Sequence, residues 1–166
     1  MNKKMLVVYY SWSCGNTERV AEQLAEACDA DIARIETVEP YPEDYQETVD
    51  QGQREVNAGF MPEIEPLEFD LAGYDVVAIG TPTWWYTMAP AVKAFLSEND
   101  FTDKTVVALS TNGGWAGNVT ADIEGACEGA VFGPSIEVQF DSTGGDHQET
   151  SQHEIDVWIE KVHELL

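Results

Sequence analysis

A continuous apolar run, Met5-Leu6-Val7-Val8-Tyr9-Tyr10, ends abruptly at the polar loop Ser11-Trp12-Ser13-Cys14-Gly15-Asn16-Thr17. A short run of β-favouring residues without polar alternation suits a strand covered on both faces, as in a parallel sheet between helical layers. Beyond the loop, Val20, Ala21, Leu24, Ala25 and Cys28 recur at intervals of three and four, the pattern of an amphipathic helix. A buried strand, a glycine-containing turn and a helix open a parallel α/β unit.

The alternation continues along the chain. Asp31 to Glu36 reads as a short strand with Ile32 and Ile35 inward, and Pro42 is expected in the first turn of a helix carrying Tyr45, Val49 and Val56. Gly52 weakens that helix. Val76-Val77-Ala78-Ile79-Gly80 and Thr105-Val106-Val107-Ala108-Leu109 are further buried strands. Pro90 opens a helix with Val92, Phe95 and Leu96 inward, and a later helix places Val119, Ile123, Ala126 and Cys127 on one face. A strand broken by Gly133-Pro134 lies between Ala130 and Phe140, and the closing helix presents Ile155, Trp158, Ile159, Val162, Leu165 and Leu166. Five strands alternating with five helices, with no repeat or linker, predict a single α/β domain over residues 1–166. Its sheet is expected to be mostly parallel with helices on both faces.

Composition excludes some partners. Eight basic residues face 31 acidic ones, a net charge of −23, whereas phosphate backbones and anionic membranes are bound through Lys and Arg. An acidic shell favours solubility or basic protein partners. The run 5–10 is shorter than the about 7–15 apolar residues of a secretory core, and no stretch approaches the ~18 needed for a span. No membrane insertion and a cytoplasmic location are expected. Cys14, Cys28 and Cys127 form neither a disulfide framework nor a metal pattern, and His147, His153 and His163 show no metal-like grouping.

In an open parallel sheet, ligands sit beyond the carboxyl ends of the strands. The first such loop offers hydroxyls at Ser11, Ser13 and Thr17, the Asn16 amide and Gly15, and it ends at a helix N-terminus. That terminus has unpaired N–H groups and a positive dipole end, which attract a phosphate without any cation. A triphosphate loop would need Gly-Lys-Ser/Thr, and there is no Lys here. A Cys-dependent phosphatase would need Arg six residues after Cys14, where Val20 stands.

The loop 11–17 resembles the phosphate loop of flavodoxins. Downstream, Gly80-Thr81-Pro82-Thr83-Trp84-Trp85-Tyr86 is similar to the Gly-x-Pro-x-Trp-Trp segment of a bacterial flavodoxin-like subfamily, and Ser110-Thr111-Asn112-Gly113-Gly114-Trp115 to its Thr-x-Gly-Gly segment. Tyr41-Pro42-Glu43-Asp44-Tyr45 and Phe101 to Thr105 extend the resemblance over almost the whole chain. It departs at Cys14, where relatives usually carry a hydroxyl or small polar residue. The resemblance implies a three-layer fold with a five-stranded parallel sheet in the order 2-1-3-4-5, and FMN as cofactor. FMN would be held by Ser11, Ser13, Cys14, Gly15, Asn16 and Thr17 at its phosphate. Pro82, Thr83, Trp84, Trp85 and Tyr86, with Thr111, Asn112, Gly113, Gly114 and Trp115, would surround its ring. One indole of Trp84-Trp85 is expected in the core, with Trp85 or Tyr86 stacked on the flavin. Gly113 and Gly114 would offer backbone N–H groups to its polar edge.

Flavin chemistry belongs to the cofactor, and the protein tunes it. One charge at ~10 Å in an effective dielectric of ~20 contributes roughly 1.7 kcal/mol before screening, so carboxylates near the ring are expected to lower its potential. The implied function is electron transfer to basic redox partners; the alternative is an NAD(P)H-dependent FMN oxidoreductase acting on quinones or other small acceptors. No Arg near the loops offers a clamp for an NADP phosphate. The Arg-Phe-Gly turn and longer insertions of flavodoxin-like quinone reductases are also missing.

Overall fold

The computed structural model describes residues 2–166. Strands β1 (Met5–Tyr9), β2 (Asp31–Arg34), β3 (Val76–Trp84) and β5 (Thr105–Asn112) run parallel, with helix α1 (Asn16–Ala27) crossing between the first two. Side chains alternate across β1 as the strand period requires. Leu6 and Val8 enter one core, beneath α3 (Pro90–Glu98) and α4 (Val119–Ala126). Met5, Val7 and Tyr9 enter the other, beneath α1 and α5 (Gln152–His163). Unbroken apolar runs therefore mark strands buried on both sides.

The sheet has seven strands rather than the five expected: β2-β1-β3-β5 side by side, then a last position beside β5, and one addition on β3. The last position is split by Gly133-Pro134 into β6 (Val131–Phe132) and β7 (Ile136–Gln139), both parallel to β5. A two-residue strand, β4 (Thr87–Met88), folds back antiparallel on the end of β3.

Helix α2 (Tyr45–Ala58) differs from expectation in its start and its face. Asp44 caps it, accepting the Glu47 N–H at 2.9 Å, and Pro42 lies before the cap, where its carbonyl takes the Thr48 hydroxyl at 2.8 Å. The buried residues are Thr48, Gly52 and Glu55, while Tyr45 is exposed. Ala126, the last residue of α4, is exposed, whereas Cys127, which caps the helix outside helical dihedrals, is buried. Leu165 and Leu166 lie past the end of α5 and are half-buried.

Candidate functional site

Loops at the carboxyl edge of the sheet surround a cavity of about 420 Å³. Of the first loop, Ser13, Cys14, Asn16 and Thr17 line it, together with Trp12; Ser11 and Gly15 do not. Ser11 is buried, and its hydroxyl accepts the Glu18 N–H at 3.4 Å, so it ties down the helix start from beneath. Gly15 is the N-cap of α1 in the left-handed conformation, φ 73°, and has no side chain of its own to cap the helix. With the Glu18 N–H taken by Ser11, the Asn16 and Thr17 N–H groups are left for a ligand. The Thr17 and Thr111 hydroxyls meet at 2.7 Å, which joins the first loop to β5. One proton bridges such a pair, and the other hydroxyl is free to donate elsewhere.

No Lys or Arg lines this cavity among the described residues; Asp141 is its one charged group. Two guanidiniums that contact the segments around the cavity are committed elsewhere. Arg34 pairs with Glu18 and donates to the Ser11 carbonyl at 2.9 Å, and Arg19 lies over Phe140 and reaches the Asp146 carbonyl.

The second loop is a hairpin. β3 runs on through Pro82, Thr83 and Trp84, all lining the cavity, and turns at Trp85 and Tyr86 with φ of 50° and 69°. Two-residue hairpins favour such left-handed pairs, but Asn and Gly usually occupy them because a bulky residue there costs about 1–2 kcal/mol. Contacts on both flanks hold it: the Trp85 indole N–H donates to the Val49 carbonyl at 2.9 Å, and the Tyr86 carbonyl accepts the Asn118 N–H at 2.8 Å. Trp84 turns inward onto Tyr10, Tyr41 and Trp12, whose rings meet it near 90°. Gly52 leaves it space, since a Cβ there would stand 3.2 Å from the indole. Trp85 and Tyr86 stay exposed at the cavity mouth.

From the third loop, Thr111, Asn112, Gly113 and Trp115 line the cavity, but Gly114 does not. Its N–H is taken by the Asn112 side-chain oxygen at 2.8 Å, so the expectation that Gly114 offers this group to a ligand is corrected. Two buried oxygens on cavity residues, Asn16 Oδ1 and Thr83 Oγ1, have no partner. The Asn16 Nδ2 is bound to the Gly145 carbonyl at 3.0 Å, which leaves Oδ1 as the unpaired end.

The family model for flavodoxin matches residues 4–162. The chain belongs to the flavodoxin family. A Bacteroides eggerthii protein assigned to the flavoproteins is 27% identical, with a TM-score of 0.77, covering 96% of this chain and 97% of its own. A Lactobacillus acidophilus flavoprotein, solved in complex with FMN, shares the fold at 23% identity, a TM-score of 0.72 and coverage of 95% and 99%. An NAD(P)H dehydrogenase (quinone) of Cupriavidus metallidurans is 34% identical over 97 residues, 57% of this chain. The chain spans about half the length of that relative, 46%.

A segment outside the three expected loops closes the cavity together with part of α2. Phe140, Asp141, Ser142, Gly144 and Gly145 line it, as do Tyr45, Thr48, Val49 and Gly52 of α2. The signal was present: Asp141-Ser142-Thr143-Gly144-Gly145 is a turn-rich stretch directly after a strand. The Asp141 carboxylate accepts from the Thr143 hydroxyl at 2.6 Å and from the Gly145 and His147 N–H groups at 2.9 and 3.1 Å. These bonds, the Thr143 hydroxyl first, hold its pKa down at about 2. A carboxyl with a depressed folded-state pKa stabilises the loop fully above its ordinary value of 3.8 and ceases to do so as pH falls through about 2. Amide protection at residues 143–147, taken relative to the intrinsic exchange rate at each pH, is therefore expected to fall between pH 4 and 2 ahead of that of β1, and Asp141→Asn to remove that pH dependence.

Proposed function

We propose that this chain binds FMN in the cavity between these loops and acts in electron transfer. The observation that carries the reading is the pair of unpartnered buried oxygens, Asn16 Oδ1 and Thr83 Oγ1, in the wall of one aromatic-sided cavity. Buried polar atoms are costly unless bonded, and the hydroxyls and polar ring edge of FMN supply the missing partners. The volume suits a small-molecule site, typically about 300–1,000 Å³. Membership of the flavodoxin family and an FMN-bound neighbour of the same fold support the same ligand.

Bound FMN supplies one- and two-electron chemistry. Thr17, Ser13 and the first N–H groups of α1 would hold its phosphate; Trp84, fixed from three sides, and the hairpin would set the ring and exclude water. Asp141, as the charged group of the wall, would disfavour added negative charge on the ligand and lower its potential. Asp141→Asn is expected to raise the midpoint potential in a spectroelectrochemical titration; an unchanged or lower value would refute this role. The acidic surface would steer basic redox partners. No helix among the described residues is long and apolar enough to cross a membrane. The free thiols Cys14, Cys28 and Cys127 fit a reducing compartment, the cytoplasm, and the chain would act as one domain over residues 1–166.

The quinone-dehydrogenase relative favours a second reading, an oxidoreductase fed by NAD(P)H. Purified protein reconstituted with FMN separates the two. With NADH or NADPH added anaerobically, the flavin absorbance of an electron carrier persists, whereas that of a reductase bleaches rapidly. Protein that neither retains nor takes up FMN would refute both.

A further inference from the structure

We propose that Trp84, Tyr41 and Glu55 form a relay along which an electron vacancy made at the cavity moves to Tyr41 while the Tyr41 proton passes to Glu55. The inference rests on FMN occupying the cavity. Trp84 lines the cavity, and its ring meets that of Tyr41 edge-on, centroids 5.0 Å apart at 82°. The Tyr41 hydroxyl donates to Glu55 Oε1 at 2.8 Å, and Glu55 Oε2 accepts from Gln51 at 3.2 Å. Glu55 is only 8% exposed, and it lines a second cavity of about 480 Å³ beside Val56, Phe60, Met88 and Lys93.

A buried carboxylate is costly without a cation to pair with. Among the described residues no Lys, Arg or His lies within ion-pair distance of Glu55; a phenol and an amide are its partners. Its Oε1 is placed directly on the Tyr41 phenol, along the line the proton would travel. Tyr41 keeps its proton in the resting protein, because burial and the Glu55 carboxylate both push its pKa upward. Losing an electron makes a phenol strongly acidic, so oxidation of Tyr41 requires a base in hydrogen-bond contact. Tyr10 provides the contrast. Its ring lies 5.8 Å from that of Trp84 at 83°, yet its hydroxyl has no carboxylate partner among the described residues.

The oxidant is photoexcited, oxidised FMN. One electron leaves the Trp84 indole for the flavin, and the indole cation is refilled by one electron from Tyr41. The Tyr41 O–H bond breaks, and its proton goes to Glu55 Oε1. The products are a flavin reduced by one electron, a neutral Tyr41 radical and a protonated Glu55. Return of the electron and the proton restores the start.

The test is electron paramagnetic resonance of the FMN-loaded protein frozen under blue light, with flavin fluorescence recorded on the same samples. A tyrosyl signal is expected in the unaltered protein and in Tyr10→Phe. It should be lost in Tyr41→Phe and in Glu55→Gln, which keeps the shape and removes the base, while flavin fluorescence stays quenched in both. Survival of the signal in Tyr41→Phe or in Glu55→Gln, or its absence from unaltered protein that holds quenched flavin, overturns the relay. Failure to hold FMN at all overturns the relay and the flavin reading together.

Discussion

Replacing Gly117 by alanine is expected to destabilise the protein by about 3 kcal/mol or more, at the severe end of single substitutions. Gly117 has φ 59°, where any side chain costs about 1–2 kcal/mol. A Cβ there would stand 2.2 Å from the Tyr86 carbonyl oxygen and 2.5 Å from the Tyr86 Cα, both backbone atoms that cannot swing aside. The same carbonyl accepts the Asn118 N–H, so relief requires the hairpin at Trp85-Tyr86 or the start of α4 to move. The hairpin is the side expected to give, since its turn already carries two bulky residues at positive φ. For a chain of this size the loss corresponds to a fall in Tm of about 6–12 °C. Because Trp85 and Tyr86 line the cavity mouth, flavin affinity should fall with stability. A melting curve within about 1 °C of the parent would show that the hairpin and the loop 113–118 are not locked together.

What could be read in the sequence follows from which interactions are local. β1, β3 and β5 are legible because burial on both faces demands an apolar residue at every position. The phosphate-type loop is legible because strand, glycine and helix start are contiguous. β4 was not legible: two residues give no periodicity, and Trp85-Tyr86 lacks the Asn or Gly that signals a tight hairpin. Helix α2 misled for a tertiary reason. Its inward face is Thr48, Gly52 and Glu55, made tolerable by the Pro42 carbonyl, the Trp84 ring and the Tyr41 hydroxyl, all outside the helix. Its apolar residues at 45, 49 and 56 therefore pointed to the wrong stripe. The site shows the same division. Thr17 faces the cavity as its place in the loop implies, but the Ser11 hydroxyl and the Gly114 N–H are spent inside the protein. The segment 141–147 joins the site only because β7 pairs with β5 and delivers it beside Asn16, a contact 129 residues apart in sequence.

Thr17→Val should weaken FMN binding by about 10- to 100-fold, the range set by losing one hydrogen bond to a charged group. The swap keeps the shape of a side chain that is fully buried against Thr111, so the fold has no steric reason to change. It also leaves the Thr111 hydroxyl without its partner, a cost of about 1–3 kcal/mol in stability. Two readouts separate these effects. Riboflavin lacks the phosphate, so the weakening should appear with FMN and be absent with riboflavin if Thr17 serves the phosphate. Loss of affinity for both flavins by the same factor would instead mean that the variant disturbs the ring site. Adding Gly15→Val removes the cradle itself. A β-branched residue at φ 73° is strained, and its relief shifts the first turn of α1, whose N–H groups and dipole are the site's substitute for a cation. With no Lys or Arg among the described residues of the cavity wall to compensate, the double variant should show no saturable FMN binding by fluorescence titration. Retained tight binding would place the phosphate somewhere other than the start of this helix.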